Sequence, residues 1–273
     1  VTLTLYHHGS SVCAAKARYH MEEKGIEWEG VYIDILKGEQ FTDEFLAINP
    51  KAVVPSLVHD EKIINESTVI CEYVDLVWPE TSLHPSDPFA YTKVRYWSKA
   101  LDEELHPACG ELTFMASHRH TLFKLGEEKL QEFLNSTPEL SVTASWHERK
   151  KVLVKEGFNA PGGEDKIKLY DLYLYKMEDA LKNHSWLAGD SFTHADVGLT
   201  PYVNRLDMMS MSGMWENGRL PRVTDWWERI KARPKFKSSL LDWCPPDLTT
   251  DLKENGAKSW PEVARILDIR EAA

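Results

Sequence analysis

Cysteine is scarce in this chain: four residues in 273, at Cys13, Cys71, Cys109 and Cys244. They are widely scattered, with no C-x-x-C pair and no metal-ligand spacing, which excludes a disulfide framework and points to a reducing cytoplasm. Basic charge is also short. Lys and Arg number 32 against 43 Asp and Glu, a formal net charge of −11. That balance argues against nucleic acid or an anionic membrane as partner, because both need clustered cations. No apolar run is long enough to span a bilayer. The first 25 residues carry His7, His8, Lys16, Arg18 and Glu22, which excludes a secretory apolar core. Internal repeats and low-complexity tracts are lacking too. What remains, 42% apolar and 27% charged residues in a chain of this length, describes a globular protein with room for two domains.

The chain opens on an alternating, β-rich run from Thr2 to Tyr6, followed by a polar loop, His7 to Ser11. From Val12 the pattern turns helical and ends at Gly25, a helix-terminating glycine. Trp28 to Ile35 reads as a second strand and Thr42 to Leu46 as a short helical turn. Next, Val53 to Val58 and Ile63-Ile64 flank a polar His59-Asp60-Glu61-Lys62 turn, the signature of a β-hairpin. Pro55 cannot donate to a ladder, so it belongs at an edge or the start of a strand, in a candidate cis peptide. Behind the hairpin, Ser67 is the expected N-cap of a helix carrying Ile70, Tyr73, Val74 and Val77. A helix start is a ready anion site. An open strand rim beside a carboxylate and a capped helix suits a zwitterionic peptide. Its backbone pairs with the rim, its carboxylate reaches Ser67 and its ammonium reaches Glu66.

Three prolines in ten residues around Trp78 to Pro88 mark a domain boundary. Beyond it only helical patterns appear. Phe89 to about Leu125 is one long stretch, with Pro107 the candidate kink. Residues 126–163 are mixed and charged, with Pro138, Pro161 and a helical patch from Trp146 to Val154. Asp165 to Lys182 is helical again. Thr193 followed by Asp196 reads as a capping-box variant, a folding device rather than a catalytic element. Leu220 to Pro234 is the last main helix expected, and the proline-bearing tail from Cys244 is expected to wrap the surface. The domains are thus 1–80, a linker 81–88, and 89–273 with an insertion near 126–163.

The spacing of V-V-P-S-L-V and E-S, eleven residues apart, resembles the glutathione-binding half of the glutathione S-transferase family. The resemblance covers residues 2 to about 80, in the order β-α-β-α-β-β-α. It implies a thioredoxin-like α/β N-terminal domain followed by an all-α domain. It also implies glutathione as co-substrate, a small hydrophobic electrophile as second substrate, and a homodimer. The activity implied is glutathione transfer: a thiolate attacks an electrophilic, aromatic small molecule in conjugation, aryl-ether cleavage or dehalogenation, for detoxification or aromatic catabolism. The alternatives are a non-catalytic binding protein of the same fold and a monothiol oxidoreductase. S-S-V-C-A-A-K-A-R resembles the bacterial tetrachlorohydroquinone reductive dehalogenases, in which the cysteine attacks a glutathionyl conjugate. N-E-S-T-V-I-C-E-Y-V, the D-P-F after the linker and the charged insertion resemble the bacterial β-aryl etherases, which lack that cysteine.

The catalytic candidates are therefore Ser11 and Cys13, at a helix N-terminus that favours thiolates. Ser11 is placed first as thiol-activating donor, Cys13 close behind, and the Tyr6 hydroxyl is an alternative donor. For glutathione binding the candidates are Gln40, Lys51, Val54, Pro55, Glu66 and Ser67. Gln40 and Lys51 are assigned the glycyl carboxylate, and Lys37 is a more solvated option. No metal is expected: His7-His8 and His118, His120 read as surface histidines. Trp97, Tyr96 and Phe114 are candidates for an acceptor pocket, with core packing the stronger reading.

Overall fold

The structure, a computed structural model, describes residues 2–136 and 144–269; Pro138, noted above, lies outside them. Four strands make one mixed sheet in the order β2-β1-β3-β4. β1 (Leu3–His7) runs parallel to β2 (Glu29–Tyr32) and antiparallel to β3 (Ser56–His59), which forms the hairpin with β4 (Lys62–Asn65). The hairpin turns at Asp60-Glu61, with Asp60 in the left-handed region at φ 55°. Pro55 sits just ahead of β3, and the Val54-Pro55 peptide is cis. β2 is shorter than its sequence pattern suggested. Asp34 accepts from the N–H groups of Leu36 and Lys37 and bends the chain off the sheet.

Three helices accompany the sheet: α1 (Val12–Glu23), α2 (Asp43–Ile48) and α3 (Ser67–Val77). α1 is hardly amphipathic because it is covered on both sides. Ala17 and Met21 pack on Leu5, Leu57, Ile70 and Val74, while Val12, Ala15 and Tyr19 join the large helical core. Its polar residues are buried as well, so each needs a partner. Lys16 donates to Thr68 Oγ1 at 2.7 Å and Asp102 at 3.2 Å, Arg18 to the Ser239 carbonyl at 2.8 Å, and Lys24 to Asp75 at 2.8 Å.

After α3 the chain passes a short turn at Pro79–Thr81 and enters α4 (Pro88–Ala100), capped by Asp87. Two wide π turns, Leu101–Leu105 and Phe114–His118, separate α4, α5 (His106–Thr113) and α6 (Arg119–Phe123). The first wide turn lies just before Pro107. The His106 N–H reaches back five residues to the Leu101 carbonyl, where Pro107 itself has no N–H to offer. The sequence indicated a kink here; two inserted turns are what the chain uses.

Next come α7 (Glu127–Asn135), α8 (Ala144–Glu156), α9 (Gly163–Ala180), α10 (His194–Met208) and α11 (Pro221–Lys231). The Thr193–Asp196 capping box at the start of α10 is present in both directions.

Two sequence expectations fail. The tail is not a surface wrap: Pro246–Ile266 forms α12, a helix of 21 residues. Pro246 is at its first position, where a missing N–H costs nothing, so the proline that reads as a breaker is a starter. The helix lies close because Gly256 meets α10 without a side chain; a Cβ there would stand 2.1 Å from the Met209 carbonyl oxygen. The second failure concerns histidine. His7, His8 and His118 are buried, not solvated, and His120 is half-buried. His7 packs edge-on against Trp243 at 4.5 Å and contacts Arg18. Burial, with Arg18 nearby, lowers its pKa to about 3, and burial likewise takes His8 down to about 4. No helix of the described residues is long and apolar enough to cross a membrane.

Candidate active site

A cavity of about 440 Å³ opens where the β1–α1 loop, the hairpin, α5 and α8 meet. Ser11, Cys13, Gln40, Lys51, Val54, Pro55, Glu66 and Ser67 all line it, so these residues, widely separated in sequence, converge on one space. Tyr6 and Lys37 are not in its lining. Tyr6 packs on Phe45 at 6.1 Å, and the exposed Lys37 pairs with Asp34 at 2.9 Å.

Ser11 is the N-cap of α1. Its hydroxyl accepts from the Ala14 N–H at 3.2 Å and makes a long contact, 3.5 Å, to the Val54 carbonyl. Cys13, two residues on, is in the first turn. Its Sγ is 3.5 Å from His106 Nδ1 and 3.8 Å from the Tyr202 hydroxyl, which is itself 3.2 Å from His106 Nδ1. Burial raises the thiol pKa, but His106, Lys16 and a hydrogen bond from Ser67 outweigh it and bring the value down to about 7. The His106 pKa is raised in turn, chiefly by the Cys13 charge. A cysteine and a histidine in this relation form a nucleophile–base pair.

On the hairpin side, Glu66 holds the N-cap position of α3 without a side-chain capping bond and Ser67 is the first helical residue, so the helix starts one position earlier than the sequence pattern indicated. Glu66 holds φ at 71°, a left-handed conformation unusual for a residue with a side chain, and its carboxylate pairs with Lys51 at 2.5 Å. Gln40 is buried, with its amide N–H₂ donating to the Ile35 carbonyl at 3.0 Å. Its buried Oε1 has no hydrogen-bond partner. The amide nitrogen carries a second N–H, the donor that the glycyl carboxylate assigned to Gln40 would need.

The opposite wall was largely hidden in the sequence. Phe114 does line the cavity, but Trp97 donates to the Leu187 carbonyl in the core and Tyr96 is exposed. The insertion supplies the rest: Phe133 from α7, Trp146 and Lys150 from α8. Trp146 stands edge-on to Phe114 at 5.4 Å. The buried Lys150 ammonium sits 4.5 Å from the Phe133 ring centroid, a cation–π contact, and desolvation, aided by Lys151, lowers its pKa to about 8. Arg205, from α10, completes the lining.

Away from the cavity, ligand atoms of His20, Cys71 and His194 lie within 4.8 Å of one another, fully buried. His20 and His194 share a hydrogen bond at 3.1 Å, and burial lowers both their pKa values while raising that of Cys71 to about 12.

Residues 1–76 match the family model for the glutathione S-transferase N-terminal domain, and residues 165–240 match that for the C-terminal domain. The chain is 31% identical over 241 residues to Protein LigF of a Sphingobium strain, covering 87% of this chain and 92% of that protein. It is 26% identical over 244 residues to a tetrachloro-p-hydroquinone reductive dehalogenase of Sphingobium chlorophenolicum, covering 87% and 95%. The crystal structure of beta-etherase LigF superposes with a TM-score of 0.79 at 29% identity, over 88% of this chain and 98% of that one.

Proposed function

Because this chain belongs to the glutathione S-transferase family, with glutathione as its co-substrate, we propose that the cavity binds both glutathione and an electrophilic aromatic, and that Cys13 takes part in the chemistry. In this reading glutathione lies along the Val54-Pro55 rim, with its γ-glutamyl end at Glu66 and Ser67 and its thiol toward Ser11 and Cys13. Lys51, now paired with Glu66, shifts to the peptide's carboxylates. The glutathione thiolate displaces a leaving group from an activated carbon. An S–C bond forms, and halide or aryloxide departs with the electron pair.

The Cys13 thiolate then attacks the sulfur of that conjugate. An S–S bond forms, the S–C bond breaks, and carbon takes the electron pair and a proton. A second glutathione thiolate resolves the mixed disulfide, releasing glutathione disulfide and the Cys13 thiolate. Two glutathiones are oxidised as one carbon centre is reduced.

The observation that carries this reading is the Cys13–His106 pair, at 3.5 Å, facing the cavity. Its test is intact-protein mass spectrometry during turnover of halogenated hydroquinones and aryl ethers. A glutathionyl adduct on Cys13 should form and clear at the turnover rate. Turnover with no such adduct would favour a second reading, supported by the higher identity to the etherase. There Ser11 alone donates to the glutathione thiolate and Cys13 is part of the wall.

Glutathione affinity should depend on Glu66 and Ser67 in either reading. Alanine at each position should weaken binding by about 1–3 kcal/mol, as for a hydrogen bond to a charged group. Calorimetry that finds both variants binding like wild type means the peptide lies elsewhere.

We also propose a homodimer. Val69, Leu76, Phe89 and Tyr96, on α3 and α4, leave large apolar surfaces exposed, with Leu76 at 81% and Phe89 at 71%. Light scattering should report twice the chain mass at micromolar concentration. A single-chain mass would end the claim.

A further inference from the structure

A buried cation needs a counter-charge or a full set of acceptors, because taking an ion out of water is costly. Arg205 is 96% buried by its 4% exposure and lines the cavity. One of its terminal nitrogens donates to the Ser10 carbonyl and the other to Thr113 Oγ1 at 3.3 Å. Its Nε has no hydrogen-bond partner, and among the described residues no carboxylate pairs with it. His118, also in the cavity lining and equally buried, has an unpartnered Nδ1. Arg18 is buried without a carboxylate as well, but it lies under Trp243, outside the cavity lining. The same cavity wall also carries Cys109, Phe114 and Trp146, with the Lys150 ammonium 4.5 Å from the Phe133 ring centroid.

Of the carboxylates in the lining, Glu66 pairs with Lys51 and Asp102 with Lys16, so neither neutralises Arg205. We infer that the acceptor half of the cavity takes an aromatic carrying an anionic oxygen, phenolate or carboxylate, and that Arg205 is the residue that binds it. The inference rests on the reading above that the cavity holds glutathione and an acceptor. It adds the acceptor's charge and the group that recognises it. A planar guanidinium matches such an oxygen better than a point charge does, and an apolar surround strengthens the contact.

The test is a binding titration that needs no turnover. Tryptophan fluorescence, to which the cavity residue Trp146 contributes, is followed with S-methylglutathione present to fill the peptide half. Two pairs of probes are compared at a pH where the acids are ionised: trichlorophenolate against its methyl ether, and chlorobenzoate against its methyl ester. The wild-type protein should bind at least one anion about tenfold more tightly than its neutral partner, and which pair shows this tells phenolate from carboxylate. Arg205→Met should abolish that preference, Arg205→Lys should keep part of it, and Lys150→Met should leave it largely in place.

Wild type binding neutral and anionic probes alike overturns the inference, even if Arg205→Met does not fold. So does an Arg205→Met protein that keeps the preference, or a Lys150→Met protein that alone loses it. Failure of the family reading looks different: S-methylglutathione itself would not bind, whatever the probes do.

Discussion

Cys13→Ser should stop the reaction at its midpoint. Glutathione would still displace the leaving group, and the glutathionyl conjugate would accumulate as a released product instead of being reduced. The serine hydroxyl titrates far too high to attack sulfur, so loss of the second step should be essentially complete. His106→Ala should slow that step without abolishing it. Burial alone raises the Cys13 thiol, and His106 is the largest influence holding it at about 7. Returned to its ordinary 9.0, the thiol would hold about fiftyfold less thiolate at neutral pH, partly offset by roughly eightfold greater intrinsic nucleophilicity, and burial would reduce the thiolate further. The net expectation is a loss of about tenfold at neutral pH that recovers as pH rises. The wild-type step should fall off only below about pH 7, because the reactive form is the deprotonated one. Product analysis by mass spectrometry across pH checks both claims. A Cys13→Ser enzyme that gives the wild-type product at the wild-type rate sinks them, and Ser11→Ala then becomes the damaging change.

Asp196→Ala should destabilise the whole molecule. The carboxylate is fully buried and accepts from the Leu187 N–H at 3.1 Å, Trp226 Nε1 at 2.9 Å, and both the N–H and hydroxyl of Thr193 at 3.1 and 3.3 Å. Burial pushes its pKa up to about 6, with these donors working against that rise. Removing the acceptor leaves three protein segments with buried donors and no partner, each worth about 1–3 kcal/mol. A total near 3–5 kcal/mol is a large part of the roughly 5–15 kcal/mol that holds a typical domain together. Urea unfolding should show the midpoint falling with an unchanged slope. A change below about 1 kcal/mol would mean that water replaces the carboxylate at all three segments, and the cap is then local after all.

Features that depend on neighbours in sequence were legible. Thr193 and Asp196 are three residues apart, and the hairpin is written in two β-rich runs around a polar turn. Ser11 and Cys13 flank a helix start that the change from alternation to helical period reveals. Features that depend on distant partners were not. Nothing local says that His7 will pack on Trp243, so a histidine pair in a polar loop reads as solvated. His106 lies 93 residues from Cys13 and Tyr202 lies 189 away, and only folding makes them neighbours. Lys150 and Phe133 sit in a charged stretch whose few apolar residues read as incidental until they close over the cavity. α12 was missed for a different reason. The tail's prolines read against a helix, yet Pro246 sits at the first helical position, where no N–H is needed, and Pro261 is accommodated inside the helix.

The double burial of α1 has a kinetic consequence. Its side chains are satisfied by residues encoded at the far end of the chain: Arg18 by the Ser239 carbonyl, 221 positions on, and Glu23 by Arg233, 210 positions on. The backbone just before it is tied to Arg205, 195 positions on. During synthesis this helix emerges early, and while Lys16 finds Thr68 and Asp102 within the first third or so of the chain, Arg18 waits uncovered until almost all of it exists. Contacts of such long range slow folding and prolong the time spent partly folded. Ser11 and Cys13, the residues proposed to carry the chemistry, are therefore set in their final surroundings among the last, when the C-terminal helices close over them.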